Sequence, residues 1–262
     1  MQEIIYTIVG FFIITFATTL GSAMVFIFKN NVSEKLNTVF LGFACGVMIA
    51  ASIWSLIVPS MELSSNWGHF SFIPTSVGII LGGLFLVAID KIVPHLHSGT
   101  NEEEGMHSTL KKHTKLFLAV VIHNIPEGLT VGFAFGAASV NGSTAAYISA
   151  LGLAIGLAIQ NIPEGAVVSL PLKKETGSKN KAFLYGMSSG LIEPISAIFG
   201  FFLSSILIDI QPWLLAFAAG SMLYVVAEDL IPDSHLGKHP HLGTWGFLIG
   251  FIIMMILDVA LG

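Results

Sequence analysis

Charged residues are scarce in this chain, and cysteine is almost absent. Asp, Glu, Lys and Arg together make up 10% of its 262 residues, and Cys45 is the one cysteine. A soluble domain carries about 25% charged residues, so the composition excludes a water-soluble globule. A single cysteine excludes an internal disulfide, a thiolate metal cluster and Cys-x-x-Cys redox chemistry. The formal net charge of −5 gives no basic surface for nucleic acid.

Long apolar runs fill most of the sequence. A helix needs about 20 apolar residues to cross a hydrocarbon core of about 30 Å. Eight such runs predict eight transmembrane helices, near 4–28, 36–60, 72–93, 115–140, 144–171, 181–208, 212–232 and 243–261. The connections are short except for a His-bearing loop over 95–114, so we expect one all-α polytopic transmembrane domain over 1–262. The first run is as long as a full span and lacks a preceding basic residue, which argues against a cleaved signal peptide.

The basic residues predict how the chain is oriented in the membrane. All 11 are lysines, and they fall between spans one and two, three and four, five and six, and seven and eight. By the positive-inside rule these four loops are cytoplasmic and both termini lie outside. We therefore expect a multi-pass protein of the cell, or inner, membrane. The restriction of the lysines to alternate loops also supports the count of eight, because a missed span would place some lysines on the other side of the membrane.

In two pairs of spans, the two sequences resemble each other although the spans cross the membrane in opposite directions. Span four contains His-Asn-Ile-Pro-Glu-Gly at 123–128 and span five contains Gln-Asn-Ile-Pro-Glu-Gly at 160–165, an offset of 37. A weaker similarity aligns span two with span seven at an offset of 174, pairing Phe43, Ala44, Gly46, Met48, Leu56 and Ile57 with Phe217, Ala218, Gly220, Met222, Leu230 and Ile231. Such pairs predict inverted repeats, which in many transporters meet at the substrate site. Chance similarity between apolar helices stays open as the alternative, more so for the second pair.

Three glutamates are predicted near the middle of the membrane. Counted from the nearest lysine at about 1.5 Å per residue, Glu127, Glu164 and Glu193 lie roughly 13 to 18 Å deep. A carboxylate at that depth costs roughly 2.5 to 3.5 kcal/mol on insertion scales, so three of them indicate a function. His123 and Gln160 lie four residues before Glu127 and Glu164 and share their helix faces. Since the chain offers no lysine there, we expect a cation from solution.

Prolines beside the glutamates add possible ligands. Pro126, Pro163 and Pro194 cannot donate a backbone hydrogen bond, so each should bend its helix and expose a carbonyl oxygen. Nitrogen and oxygen ligands without thiolate suit Zn²⁺ and its first-row neighbours better than Ca²⁺ or Cu(I). Met48 is predicted at the same depth and is a weaker candidate, because a lone methionine more often serves packing. Protonated glutamates bonded across a kinked helix pair are the alternative to a metal site.

The paired motifs resemble the signature of the ZIP family of divalent-metal transporters, and the similarity extends over essentially the whole chain. The resemblance implies transport of zinc, iron, manganese or cadmium into the cytoplasm, without enzymatic activity or a catalytic cofactor. It also implies a 3+2+3 arrangement, with the two motif helices between inverted three-helix repeats, and a homodimer. The mid-membrane metal ligands that it implies are His123, Asn124, Glu127, Gln160, Asn161, Glu164 and Glu193. Neutral amides at 160 and 161, where many relatives carry histidine or an acid, weigh against a second metal bound at the same time.

Further residues resemble the exit-side metal ligands of the family. They are Asp90, His95 and His97 after span three, and Glu228, Asp229 and His239 around the end of span seven. A solvated linker explains most of the composition of the 95–114 loop, and a metal-collecting loop is the alternative.

Two rival functions stay open on the sequence alone. A proton or sodium antiporter would titrate the same glutamates, although His123 and the outlying histidines favour metal. An intramembrane metallohydrolase would retain its metal and activate a water molecule, but neither a His-Glu-x-x-His helix nor a separate general base stands out. The chain has no phosphate-binding loop of the G-x-x-x-x-G-K-[ST] kind, so we expect no ATP hydrolysis.

Overall fold

The structure of the protein, a computed structural model, describes residues 2–28, 33–96, 103–235 and 239–261, without the side chains of 103, 104 and 167. Eight helices in these ranges are long and apolar enough to cross a membrane. They are α1 (Gln2–Ile27), α2 (Glu34–Leu63), α3 (Phe72–Ile92), α4 (Lys112–Asn141), α5 (Thr144–Thr176), α6 (Lys179–Ile206), α7 (Ile208–His235) and α8 (Pro240–Leu261). The prediction of an all-α polytopic membrane protein with eight spans is confirmed.

Capping residues keep the connections around α5 short. Ser143 accepts a hydrogen bond from the backbone N–H of Ala146 at the start of α5, and Ser178 does the same at the start of α6. Gly142 and Gly177 end α4 and α5 with φ of 72° and 66°, a conformation that glycine adopts without a Cβ clash. Consecutive helices therefore reverse direction within two residues.

Three helices are interrupted inside their spans. A π-helical segment occupies Ser52–Ile57 in α2, and another occupies Val226–Leu230 in α7. Pro59 and Pro232 follow them closely, and each lacks the N–H that an α-helix would use. In α6 the helix breaks at Leu191, between Lys179–Gly190 and Ile192–Ile206. The motif prolines, in contrast, lie inside the unbroken helices α4 and α5.

Four helix pairs contribute much of the packing. They are α1 with α5, α4 with α6, α2 with α8, and α3 with α7. Small residues bring the backbones together: a Cβ added to Gly46 of α2 would lie 2.0 Å from the carbonyl oxygen of Phe247 in α8, and one on Gly82 of α3 would lie 2.0 Å from that of Phe217 in α7. Close backbone approach at small residues is the usual way in which membrane helices associate.

Large apolar side chains cover the outside of the bundle. On α6, Ile195 and Phe199 are exposed, and on α8 so are Ile249 and Ile256. A surface of this kind is stable in lipid and costly in water, so the protein is a multi-pass membrane protein.

Lysines mark one end of the bundle, which we call the lysine-rich end; it is where Lys35, Lys91, Lys112, Lys173 and Lys181 lie. Two short strands follow α3 there: β1 (His95–Leu96) pairs antiparallel with β2 (Glu103–Glu104). Strand β1 packs against α4 and buries His95. The predicted loop over 95–114 therefore begins with ordered backbone against the bundle.

Candidate metal site in the membrane

The three predicted glutamates come from three different helices. Glu127 lies on α4, Glu164 on α5 and Glu193 on α6. Glu127 is 1% exposed and Glu193 is fully buried, while Glu164 is partly buried. Depth counted from the lysines predicted a shared layer, and these helices do bring the three carboxyl groups into one connected network.

The amides of α5 link the carboxyl groups to one another. The side-chain nitrogen of Gln160 donates to Glu127 Oε1, and it lies 3.2 Å from Glu164 Oε2. The side-chain nitrogen of Asn161 donates to Glu193 Oε2 at 3.1 Å. Gln160 and Asn161 are both almost completely buried. Because one helix carries two neighbouring amides, a single segment of α5 orients all three acids.

Two oxygens of this network stand out. Glu127 Oε2 and Gln160 Oε1 are buried, and neither finds a hydrogen-bond donor within the described residues. An acceptor left unsatisfied in a buried position costs about 1 to 3 kcal/mol. Carboxylate and amide oxygens are suitable ligands for a divalent cation.

The two preceding motif residues of α4 have polar partners on other helices. His123 Nε2 lies 3.1 Å from Asp229 Oδ2 on α7. The side-chain nitrogen of Asn124 donates to the backbone carbonyl of Ser189 on α6 at 3.1 Å. Successive residues of a helix differ in direction by about 100°, so Asn124 cannot share the face of His123 and Glu127.

A small cavity lies beside Glu164, on the side of the network that faces the lysine-rich end. It has a volume of about 70 Å³, and its polar lining consists of His123, Glu164, Asp229 and Asp233 among apolar side chains. Glu164 thus belongs both to the carboxyl network and to this cavity. The cavity therefore brings one acid of the network together with an imidazole and two more acids.

The remaining predicted residues lie farther along or elsewhere. His95 Nε2 is 3.8 Å from Asp90 Oδ1, so these two come together at the end of α3. Glu228 is exposed although its neighbour Asp229 is buried. Met48, on α2, lies in the apolar core of the bundle. His239 is partly buried just before α8, and His97 lies outside the described residues.

Across the described parts of the chain, no three His, Cys, Asp or Glu side chains are close enough to form a ready-made metal site. The arrangement is instead a network of carboxyl groups joined by the side-chain amides of Gln160 and Asn161. It is rich in oxygen atoms, and His123 lies one turn of α4 before Glu127.

Two side-chain contacts around the site were not predicted from the sequence. Thr18 of α1 donates to Glu193 Oε1 at 2.6 Å. Thr130 of α4 donates to the sulfur of Met222 at 3.1 Å. The offset of 174 could have identified Met222, since it is the counterpart of Met48, whereas a threonine in an apolar span carried no signal.

Comparison with known proteins gives one consistent result. The family described as ZIP Zinc transporter matches residues 114–258, a range that contains both motifs and Glu193. The chain is 34% identical to zinc transporter ZIP11 of Homo sapiens, over 100% of this chain and 98% of that protein. It is 35% identical to zinc transporter GufA of Myxococcus xanthus, over 94% and 95%, and 33% identical to zinc transporter ZupT of Streptococcus mutans, over 92% and 91%. With eight apolar spans, paired Asn-Ile-Pro-Glu-Gly motifs and full-length similarity, the chain belongs to the ZIP family of metal transporters.

Proposed function

We propose that the protein carries divalent metal ions, zinc foremost, across the membrane into the cytoplasm. The relatives that cover nearly the whole chain are named zinc transporters, which supports zinc as the transported substrate rather than as a resident cofactor. The observation that carries the proposal is the pair of buried, unsatisfied oxygens, Glu127 Oε2 and Gln160 Oε1, inside a network of three carboxyl groups. Iron, manganese and cadmium are further candidates from the family resemblance.

Glu127, Glu164 and Gln160 supply the first ligands in this proposal. Glu193 and Asn161 complete the network behind them, and each carboxylate oxygen keeps a lone pair for the ion. His123 then takes part in the next step, because it stands with Asp229 on the path to the lysine-rich end. Asn124 would have to leave the Ser189 carbonyl before it could bind metal.

Cavities at the two ends support a path through the protein. At the end opposite the lysines, a cavity of about 640 Å³ is bordered by Ser55, Glu62, Asn141 and Gln211. Its carboxylate would attract cations from outside. At the lysine-rich end the path runs from His123 and Asp229 toward Asp90 and His95. The lysines make that end cytoplasmic by the positive-inside rule, with both termini outside.

Internal regularities favour alternating access built on inverted repeats. Exchanging α1 with α6, α2 with α7, α3 with α8 and α4 with α5 leaves the four principal helix pairs unchanged. The π-helical segments begin at Ser52 and Val226, which are related by the same offset of 174 as the sequence similarity. A movement of one helix group against the other would open the site to each side in turn. The 3+2+3 arrangement, the homodimer and the inner-membrane location stay predictions from the resemblance.

Zinc uptake into proteoliposomes tests the proposal. Purified protein is reconstituted with a fluorescent zinc indicator inside, and the parent is compared with Glu127→Gln, which keeps the size of the side chain and removes its charge. Zinc-dependent signal should appear with the parent and be lost in the variant. Glu3→Gln, at an exposed acid near the start of α1, is the matched control.

The alternatives give different outcomes in the same assay. Uptake by Glu127→Gln at the parental rate would refute the site. Proton or sodium movement without metal would favour the antiporter. Hydrolytic activity that persists after free metal has been removed would favour the metallohydrolase.

A further inference from the structure

We propose that Thr18 of α1 is a positioning residue of the metal site and the counterpart, in the first half of the chain, of Glu193 in the second half. The proposal rests on the function proposed above. It adds a residue from a helix that carries neither motif, and it assigns that residue a place in the symmetry of the site.

The first support is a direct contact. Thr18 Oγ1 lies 2.6 Å from Glu193 Oε1, and both side chains are buried. The hydroxyl also lies 3.3 Å from the carbonyl of Ile14, but the contact with the carboxyl group is much shorter. Because Asn161 holds the other oxygen of Glu193, each carboxyl oxygen receives one donor. The two donors together fix the direction of the carboxylate and leave a lone pair on each oxygen for a cation.

The second support is the way in which each residue meets a motif glycine. Gly128 of α4 and Gly165 of α5 hold the same place in the two motifs. A Cβ on Gly128 would lie 2.3 Å from the backbone oxygen of Glu193, and one on Gly165 would lie 2.5 Å from the backbone oxygen of Thr18. The same backbone atom therefore touches the same motif glycine in both halves, which makes Thr18 and Glu193 equivalent positions.

The two supports have a joint consequence. A residue can contact its own counterpart only where a twofold axis passes between them, so the Thr18–Glu193 contact places the pseudo-twofold axis at the carboxyl network. The pair consists of one hydroxyl and one carboxylate, one from each half. The geometry implies that the carboxylate can lie on either α1 or α6, provided that the hydroxyl lies on the other helix.

A conservative pair of variants tests the positioning role. Thr18→Val keeps the shape and removes the donor, whereas Thr18→Ser keeps the donor and removes the methyl group, whose carbon would lie 3.0 Å from a Cβ on Gly190. The KM for zinc uptake should rise about tenfold in Thr18→Val, the size expected for one hydrogen bond to a charged group. Thr18→Ser should stay much closer to the parent. A packing role predicts the reverse ranking, and that ranking, or an unchanged KM in Thr18→Val, would overturn the proposal.

A carboxylate swap tests the symmetry. Glu193→Thr should lose zinc uptake, and Thr18→Glu/Glu193→Thr should recover uptake well above that level. Thr19→Glu/Glu193→Thr has the same composition with the acid on another face of α1 and should not recover. Equal uptake by the two double variants, each shown to be folded by size-exclusion chromatography, would refute the equivalence. A Thr18→Glu/Glu193→Thr variant that does not fold, while Thr19→Glu/Glu193→Thr does, would refute it as well.

Failure of this proposal differs from failure of the proposed function. If the parent takes up zinc and Glu127→Gln does not, while Thr18→Val behaves like the parent, transport stands and the role of Thr18 falls. If the parent shows no metal uptake, the function itself falls.

Discussion

Replacing Gly128 by alanine should push α4 and α6 apart at the metal site. The new Cβ would lie 2.3 Å from the backbone oxygen of Glu193 and 2.9 Å from its Cα, whereas real Cβ contacts stay above 3.0 Å. The backbones would have to separate by about 0.7 Å at the oxygen, and they carry Glu127 and Glu193. Overpacking of this kind costs about 1 to 3 kcal/mol of stability.

Gly83→Ala on α3 is the matched control. It makes the same chemical change inside a membrane helix, but its Cβ would meet nothing within 4 Å. Alanine is favoured over glycine in a helix by about 0.5 to 1 kcal/mol, so this variant should be at least as stable as the parent. Melting midpoints in detergent, read by size-exclusion chromatography after heating, should fall by several degrees for Gly128→Ala and not for Gly83→Ala.

Uptake should separate the two variants as well. We expect Gly128→Ala to raise the KM for zinc, because it displaces the backbone beside two carboxyl groups of the site, and Gly83→Ala to leave it unchanged. If Gly128→Ala keeps both the parental melting midpoint and the parental KM, the close contact between α4 and α6 does not hold the site as described.

Three further predictions concern the ion. Zinc at about 100 times its Kd should stabilise the parent by about 2.7 kcal/mol, visible as a higher melting midpoint, and should stabilise Glu127→Gln far less; equal stabilisation would contradict the site. Zinc uptake should weaken as the outside solution is acidified, because histidine and carboxyl groups must lose protons to bind metal; a rate that rises steadily in acid would indicate proton coupling instead. His123→Gln should lower the preference for zinc over Mg²⁺, since it replaces the imidazole by an amide, while His241→Gln at an exposed position should keep the parental ratio; initial rates with each metal measure both.

Some features of this structure could be predicted from the sequence because the chain lies in a membrane. Lipid offers no hydrogen bonds to the backbone, so each long apolar run must be a helix, and the eight spans follow. The depth of Glu127, Glu164 and Glu193 could be counted from lysines because a helix rises by a constant amount per residue. Their assembly into one network with Gln160 and Asn161 agrees with that count.

The partners of individual side chains could not be obtained in this way. A helix repeat shows that His123 and Glu127 share a face, but which neighbour that face meets depends on how the helices are rotated. His123 reaches Asp229 on α7, and Asn124 reaches a backbone carbonyl on α6. Thr18 had no sequence signal because a single hydroxyl in an apolar span is common and costs little.

The π-helical segment of α2 determines the direction in which the side chains of the following residues, 58–63, point. It holds one more residue per turn than its surroundings, and each residue of an α-helix advances the direction by about 100°. If Ser52–Ile57 were regular α-helix with no residue removed, the extra residue would swing Ser60 and Glu62 about a quarter of the way around the axis. The cavity at the end opposite the lysines would then lose Glu62 from its lining, while every side chain on the lysine-rich half of α2 kept its place.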